Sequence, residues 1–344
     1  MDFEERFNLV KRKIDEIVTE DEMKQLLKQK EKPVAYIGDA PTGRMHTGHF
    51  ITHRKISDFL RAGFVFKVLL ADIHAHLDDL KSPFELLEAR SEYYEECIKG
   101  MMDATGVDWS DLEFIRGSSF ELKEEYTLDV LKLAADTTLN RCQRAAAEVV
   151  RLGENPKLGG FIYPLLQTMD VAALNADVAY GGVDQRGIYM LSREILPSLG
   201  YKKPICVFAP LLTGLTGGKM SASEKGSKID LLDDEETIKE KMKDAYCPAG
   251  QIENNGVLEH LKYLVFPVLR SNGEDFVVER PEKWGGNLVY ESYLDVEKDF
   301  LSGDLHPLDL KMAIARELTV ILEPIRKRFE DEQELLKRAY PEGE

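Results

Sequence analysis

The chain has 344 residues, of which 43% are apolar and 31% charged, and its formal net charge is −17. That length exceeds what one small core organises and predicts two domains, while the composition excludes disordered and membrane-spanning classes. The acidic balance argues against loose, non-specific nucleic-acid binding, whereas a docked, specific contact needs only local positive charge.

The stretch 3–30 is charged with helical spacing and predicts two helices. Its start, Met1-Asp2-Phe3-Glu4-Glu5, lacks the basic-then-apolar order of a signal peptide, and the longest apolar runs, such as 65–71, are strand-sized. A cytoplasmic protein with no membrane attachment is therefore expected. Cys97, Cys142, Cys206 and Cys247 are dispersed and read as free thiols in a reducing compartment.

An apolar run at 33–38 predicts a strand, 47–61 a helix closed by Ala62-Gly63, and 65–71 a buried strand. Over 85–104, Leu87, Tyr94, Ile98 and Met101 share one helical face. Further strands are expected at 113–116, 177–181 and 205–209, and helices at 126–135, 139–151, 164–174 and 185–199. Such alternation predicts an α/β fold, a parallel sheet with helices on both faces and ligands past the carboxyl ends of the strands. After about 234 the pattern is mostly helical, with one extended stretch at 275–278. The expected division is a catalytic domain over 1–235 and a helical domain over 236–344.

Two short motifs follow expected strands. In His46-Thr47-Gly48-His49 the two imidazoles are three residues apart and share a helix face. Beside a pentacoordinate phosphorus they would donate hydrogen bonds where negative charge develops. The alternatives are a metal pair, although no other ligands with metal spacing lie nearby, or two solvated histidines. In Gly217-Gly218-Lys219-Met220-Ser221-Ala222-Ser223 a glycine-led loop carries a lysine able to close on a leaving pyrophosphate; alone it also reads as a plain flexible turn. Together the pair resembles the HIGH and KMSKS signatures of class I aminoacyl-tRNA synthetases.

Beyond the signatures, the chain resembles the tyrosyl-tRNA synthetases of the archaeal and eukaryotic branch over nearly its whole length. Tyr36-Ile37-Gly38, Ala71-Asp72-Ile73-His74-Ala75, Glu125-Tyr126-Thr127-Leu128-Asp129-Val130, Tyr163-Pro164-Leu165-Leu166-Gln167, Gly181-Gly182-Val183-Asp184-Gln185-Arg186 and Gly285-Gly286-Asn287 carry the resemblance. It implies a Rossmann-like catalytic domain, with a dimerisation and acceptor-stem segment inserted at about 105–165, then a helical anticodon-binding domain in a homodimer. Tyr36 and Asp170 match the pair that reads the substrate phenol; Tyr163, Gln167 and Gln185 match groups holding the α-amino end. Gly38, Gly48 and Gly181 fall in the ATP site, with Gly48 against adenine and Asp184 on the ribose. His46, His49, Lys219 and Ser223 surround the phosphates, Met220 and Ser221 also fall in the ATP site, and Mg²⁺ accompanies ATP. Arg144 and Arg186 match acceptor-stem contacts; Trp284, His306 and Asp309 match the site of the first anticodon base.

The implied partners are L-tyrosine, ATP and tRNA(Tyr). Three positions depart from the usual pattern: Ala222 for serine, Gly187 for lysine and Glu121 for glutamine. Rival readings are a tryptophanyl-tRNA synthetase, in which KMSAS is also common, a non-catalytic RNA-binding paralogue, and a small-molecule nucleotidyltransferase.

Overall fold

The computed structural model describes residues 1–78, 82–150, 155–218 and 225–341. Helices α1 (Phe3–Lys11) and α2 (Glu20–Gln29) each start at a capping box, Asp2 with Glu5 and Thr19 with Glu22. Between them lies a strand the sequence reading missed, β1 (Glu16–Val18). Three residues are too few to display an alternation; this strand exists because it completes the sheet's open edge.

The sheet continues with β2 (Val34–Asp39), β3 (Val65–Leu70), β4 (Leu112–Arg116), β5 (Val178–Gly182) and β6 (Ile205–Ala209). Its order is β1-β6-β5-β2-β3-β4, and every pairing is parallel except β1 with β6. The expected all-parallel sheet thus has one antiparallel edge. Successive side chains on β2 face opposite sides. Ala35 and Ile37 enter one apolar cluster, with α3 (Thr47–Arg61), and Tyr36 enters the other.

Helices α4 (Asp72–Leu77) and α5 (Leu87–Ala104) follow β3; α6 (Glu124–Asp136), α7 (Leu139–Ala146) and α8 (Gly159–Ala173) follow β4. Pro164 lies inside α8 and does not start it, as the sequence had indicated. The buried side chains from Tyr163 to Val171 hold the helix through the proline, so packing overrides local propensity. The helix expected at 185–199 is divided into α9 (Arg186–Ile195) and a 3₁₀ turn at Leu196–Leu199, where Pro197 withdraws an amide donor.

Past β6 come α10 (Glu235–Asp244), α11 (Gly256–His260), α12 (Phe266–Asn272), α13 (Tyr293–Ser302), α14 (Pro307–Ile321), α15 (Glu323–Arg328) and α16 (Gln333–Ala339). The extended stretch is β7 (Phe276–Val278), paired antiparallel with an unforeseen β8 (Leu288–Tyr290). Helices α15 and α16 return to pack on α5. Gly100 permits that approach: a Cβ there would lie 2.8 Å from Ile325 Cα. Gly100→Ala is expected to cost about 1–3 kcal/mol, read as a lower urea midpoint at unchanged m-value.

Candidate active site

From β2 the chain steps outward to β3 and β4, then returns to the other side of β2 with β5 and β6. The order reverses between β2 and β5, which is where an open α/β sheet leaves a crevice. A cavity of about 340 Å³ opens there, lined by Tyr36 and Gly38 of β2, His74, Tyr163, Gln167 and Asp170 of the covering helices, and Asp184-Gln185 beyond β5. A second cavity of about 320 Å³ holds His46, Gly48 and His49. The two share Asp39, His49 and Asp184, so they form adjoining compartments.

The first compartment ends in polar atoms with hydrogen-bonding capacity unused. Asp170 is 1% exposed; its Oδ1 lies 2.8 Å from Tyr126 Oη, whose one proton Leu166 O also faces at 2.8 Å, while Oδ2 has no hydrogen bond and stands 3.5 Å from His74 Nε2. The Tyr36 hydroxyl and Gln167 Oε1 are likewise buried and unpartnered. Gln167 Nε2 donates to Gln185 Oε1 at 3.0 Å, and Tyr163 packs edge-on against His74. Buried polar groups are seldom left this way unless a ligand completes them. Burial and the Glu121 charge press Asp170 above the ordinary carboxylate range; His74 and the Tyr126 hydroxyl oppose that. Neither His74 nor Tyr126 stands out in the sequence as a site residue. Their signal was a histidine and a tyrosine on helices α4 and α6 whose polar ends point inward to one carboxylate, a pattern without linear periodicity.

In the second compartment His46 is the N-cap of α3, and His46 and His49 form a reciprocal cap. His46 Nδ1 accepts from Gly48 N at 3.2 Å and His49 Nδ1 from His46 N at 3.1 Å. The ring centroids stand 4.1 Å apart. With each Nδ1 engaged as an acceptor, each ring is the neutral Nε2–H tautomer, free to donate. Burial, His49 and Lys228 lower His46 well below the usual imidazole range; burial, followed by His53, brings His49 to about 4. Behind them His53 Nε2 meets Asp39 Oδ2 at 2.7 Å, which raises His53 against its burial.

The far signature is drawn to the near one by backbone bonds. Thr47 N donates to Ile229 O at 2.9 Å and Leu231 N to Met45 O at 3.1 Å. His260 Nε2 lies 2.8 Å from Thr47 Oγ1. The segment after residue 225 therefore docks on the histidine turn. Lys219, Met220, Ser221 and Ser223 themselves, with Ala222, lie outside the described residues.

The family model described as tRNA synthetases class I (W and Y) matches residues 28–323. The chain belongs to the class I tRNA synthetases of this W and Y group. The synthetase is 60% identical over 342 residues to the tyrosine–tRNA ligase of Haloarcula marismortui, covering 99% of each chain. Identity and coverage are the same against the tyrosine–tRNA ligase of Natronomonas pharaonis. The tyrosyl-tRNA synthetase of Archaeoglobus fulgidus, crystallised with L-tyrosine, superposes with a TM-score of 0.89 at 46% identity, over 95% of this chain and 99% of that one.

Elsewhere on the synthetase, Arg144 lies on α7 with Arg141, Arg193 and Lys203 around a cavity of about 590 Å³. Arg186 opens α9 and is tied to Glu16 by bonds of 2.7 and 3.0 Å. A Cβ at Gly187 would sit 2.5 Å from Ala145 O, so glycine is what lets α9 meet α7, and a lysine there would force the helices apart. Trp284 is 67% exposed in a turn that Arg280 fastens to Gly286 O and Asp304 O. His306 caps α14 through Nδ1, and Asp309 lies in its first turn, where an acidic residue is favoured in any helix. Gly181 is buried; a Cβ on it would press on Gln185 and Tyr189 at 3.1–3.2 Å.

Proposed function

We infer that this synthetase acts as a tyrosine–tRNA ligase. The carboxylate of L-tyrosine attacks the α-phosphorus of ATP, pyrophosphate leaves, and the tyrosyl group of the adenylate then passes to a terminal ribose hydroxyl of tRNA(Tyr). One observation carries the choice of tyrosine: the unpartnered Asp170 Oδ2 and Tyr36 hydroxyl line the same cavity. A phenol donates to one and accepts from the other, whereas an indole N–H only donates and phenylalanine leaves both buried groups unpaired. The tyrosine-named relatives support the same reading.

Roles for individual residues follow as proposals. Tyr163, Gln167 and Gln185 hold the amino end of tyrosine. Gly38, Gly48 and Gly181 admit the nucleotide closely, and Asp184, shared by both compartments, takes the ribose. His46 and His49 donate Nε2–H toward the reacting phosphate, with Lys219, Met220, Ser221 and Ser223 closing over the pyrophosphate. No enzyme nucleophile is required, because positioning and charge stabilisation lower the barrier. ATP enters with Mg²⁺ held by phosphate oxygens and water.

The helical part after about 235 would read the anticodon, with Trp284 stacking on a base and Asp309 and His306 beside it. Arg144 and Arg186 would meet the acceptor stem. The segment at 105–165 would make a homodimer, supported by the exposed Leu122, Leu128, Leu131 and Leu139. A cytoplasmic location suits the four free thiols. ATP–pyrophosphate exchange across the twenty amino acids tests the assignment: tyrosine alone should sustain exchange, and tryptophan-driven exchange would overturn it.

A further inference from the structure

Behind the phenol-reading carboxylate lies a charged cluster that substrate contacts do not account for. His74 of α4 is almost fully buried and neither ring nitrogen has a hydrogen bond. Nδ1 stands 3.6 Å from Glu121 Oε1 and Nε2 3.5 Å from Asp170 Oδ2. Both Glu121 oxygens are buried and unpartnered. Each nitrogen of one ring thus faces its own carboxylate. A doubly protonated imidazolium can donate to both at once, whereas a metal ion would engage a single nitrogen.

We propose that His74 stands as an imidazolium between Glu121 and Asp170, that Glu121 keeps the proton on it, and that this cation holds Asp170 ionised so that Oδ2 accepts from the para-hydroxyl of tyrosine. His74 is a positioning residue here, acting through Asp170, and the idea rests on the reading of Asp170 as the phenol acceptor. The physical need is plain. A buried carboxylate without a counter-charge takes up a proton. The Tyr126 hydroxyl stands 2.8 Å from both Oδ1 and Leu166 O and has one proton to give; a proton taken up on Oδ2 turns the acceptor into a donor, and one taken up on Oδ1 leaves only a neutral, weaker acceptor for the phenol.

The surroundings favour the cation. Glu121 reaches His74 from the turn after Gly117–Ser119; Asp170 and Tyr163 face it from α8, with Tyr126 of α6 bonded to Asp170. Tyr94 of α5 and Tyr36 of β2 share the cavity with it. Asp72, on α4 itself, is already engaged through Oδ1 by the amides of Ile73 and Ser118. Burial lowers His74, yet Glu121 and then Asp170 outweigh it and bring the imidazole to about 9. Burial and Glu121 raise Asp170, and the cation on His74 is the foremost influence against them, so the two charges stand or fall together; with Asp170 ionised the imidazolium persists at neutral pH and is lost as pH rises through about 9.

The test is the pH profile of kcat/KM for tyrosine in pyrophosphate exchange, with KM for ATP as the internal control. The unaltered enzyme should hold a plateau through neutrality and fall above about pH 9. Glu121→Gln should move that alkaline limb down by about one pH unit or more, and Glu121→Asp should leave it near its place. His74→Gln should lower kcat/KM for tyrosine roughly tenfold to a hundredfold, through KM, and narrow the preference over phenylalanine. An unmoved limb in Glu121→Gln, checked for native stability by urea unfolding, would overturn the proposal even if His74→Gln does not fold. Failure of the parent enzyme to activate tyrosine would instead overturn the functional reading beneath it.

Discussion

Asp170→Asn should reduce kcat/KM for tyrosine roughly a hundredfold or more while leaving KM for ATP unchanged. The substitution keeps volume and shape, so cavity terms are small. The Tyr126 hydroxyl lies 2.8 Å from both Oδ1 and Leu166 O, so the asparagine amide can sit with its NH₂ where Oδ2 stood or, with Tyr126 donating to Leu166 O, with a neutral oxygen there. At the one point where the substrate offers its own O–H, a charge-assisted bond is exchanged for a donor–donor mismatch in one orientation and for a weaker neutral bond in the other. The same variant should compress the ratio of tyrosine to phenylalanine activation, because phenylalanine never had that bond to lose. Steady-state exchange with both amino acids measures both effects. Equal losses for the two would mean that the residue supports the pocket without reading the phenol.

His46→Asn and His49→Gln should each slow adenylate formation by about 10²–10³ with KM for tyrosine nearly unchanged. Asparagine is a good N-cap, so His46→Asn preserves the bond that His46 Nδ1 accepts from Gly48 and removes only the outward Nε2–H. The loss then reports transition-state stabilisation and not a frayed helix. Sign matters for the pH dependence. Both imidazoles have lowered pKa values, so both are neutral at pH 7; His49 acquires charge near 4 and His46 well below the ordinary imidazole range. The single-turnover rate should therefore show no inflection near pH 6.5 from these groups. Rapid-quench measurement of adenylate at saturating ATP and tyrosine gives the rate; a limb near the ordinary imidazole value would show that a proton is exchanged there.

Much of the architecture was legible because the core strands and their crossover helices are long enough to show their period. The helix at Thr47–Arg61 and the strand at Ile205–Ala209 appear with the bounds that the pattern indicated. What escaped was short or non-local. β1 and β8 have three residues each and exist through their partners, Cys206–Phe208 and β7. Pro164 sits inside a helix because the neighbouring side chains are buried.

At the site, the adjacency of the two signatures was readable as a motif pair, but the contacts that enforce it were not. Ile229 and Leu231 on the residue-45 turn, and His260 on Thr47, join positions too far apart for any linear pattern. Glu121 stood out in sequence only as a departure from the family pattern. Its proximity to His74 gives it a physical role, since no spacing rule links residues 74, 121 and 170.

Substrate choice rests on Asp170 and Tyr36 reading the phenol beside a separate phosphate compartment. Crystals of the full chain with L-tyrosine and a non-hydrolysable ATP analogue test it most directly. The phenolic oxygen should lie within hydrogen-bond distance of Asp170 Oδ2 and the Tyr36 hydroxyl, and the α-phosphate beside His46 and His49. A phenol bound away from Asp170, or a triphosphate lodged outside the histidine compartment, would contradict it.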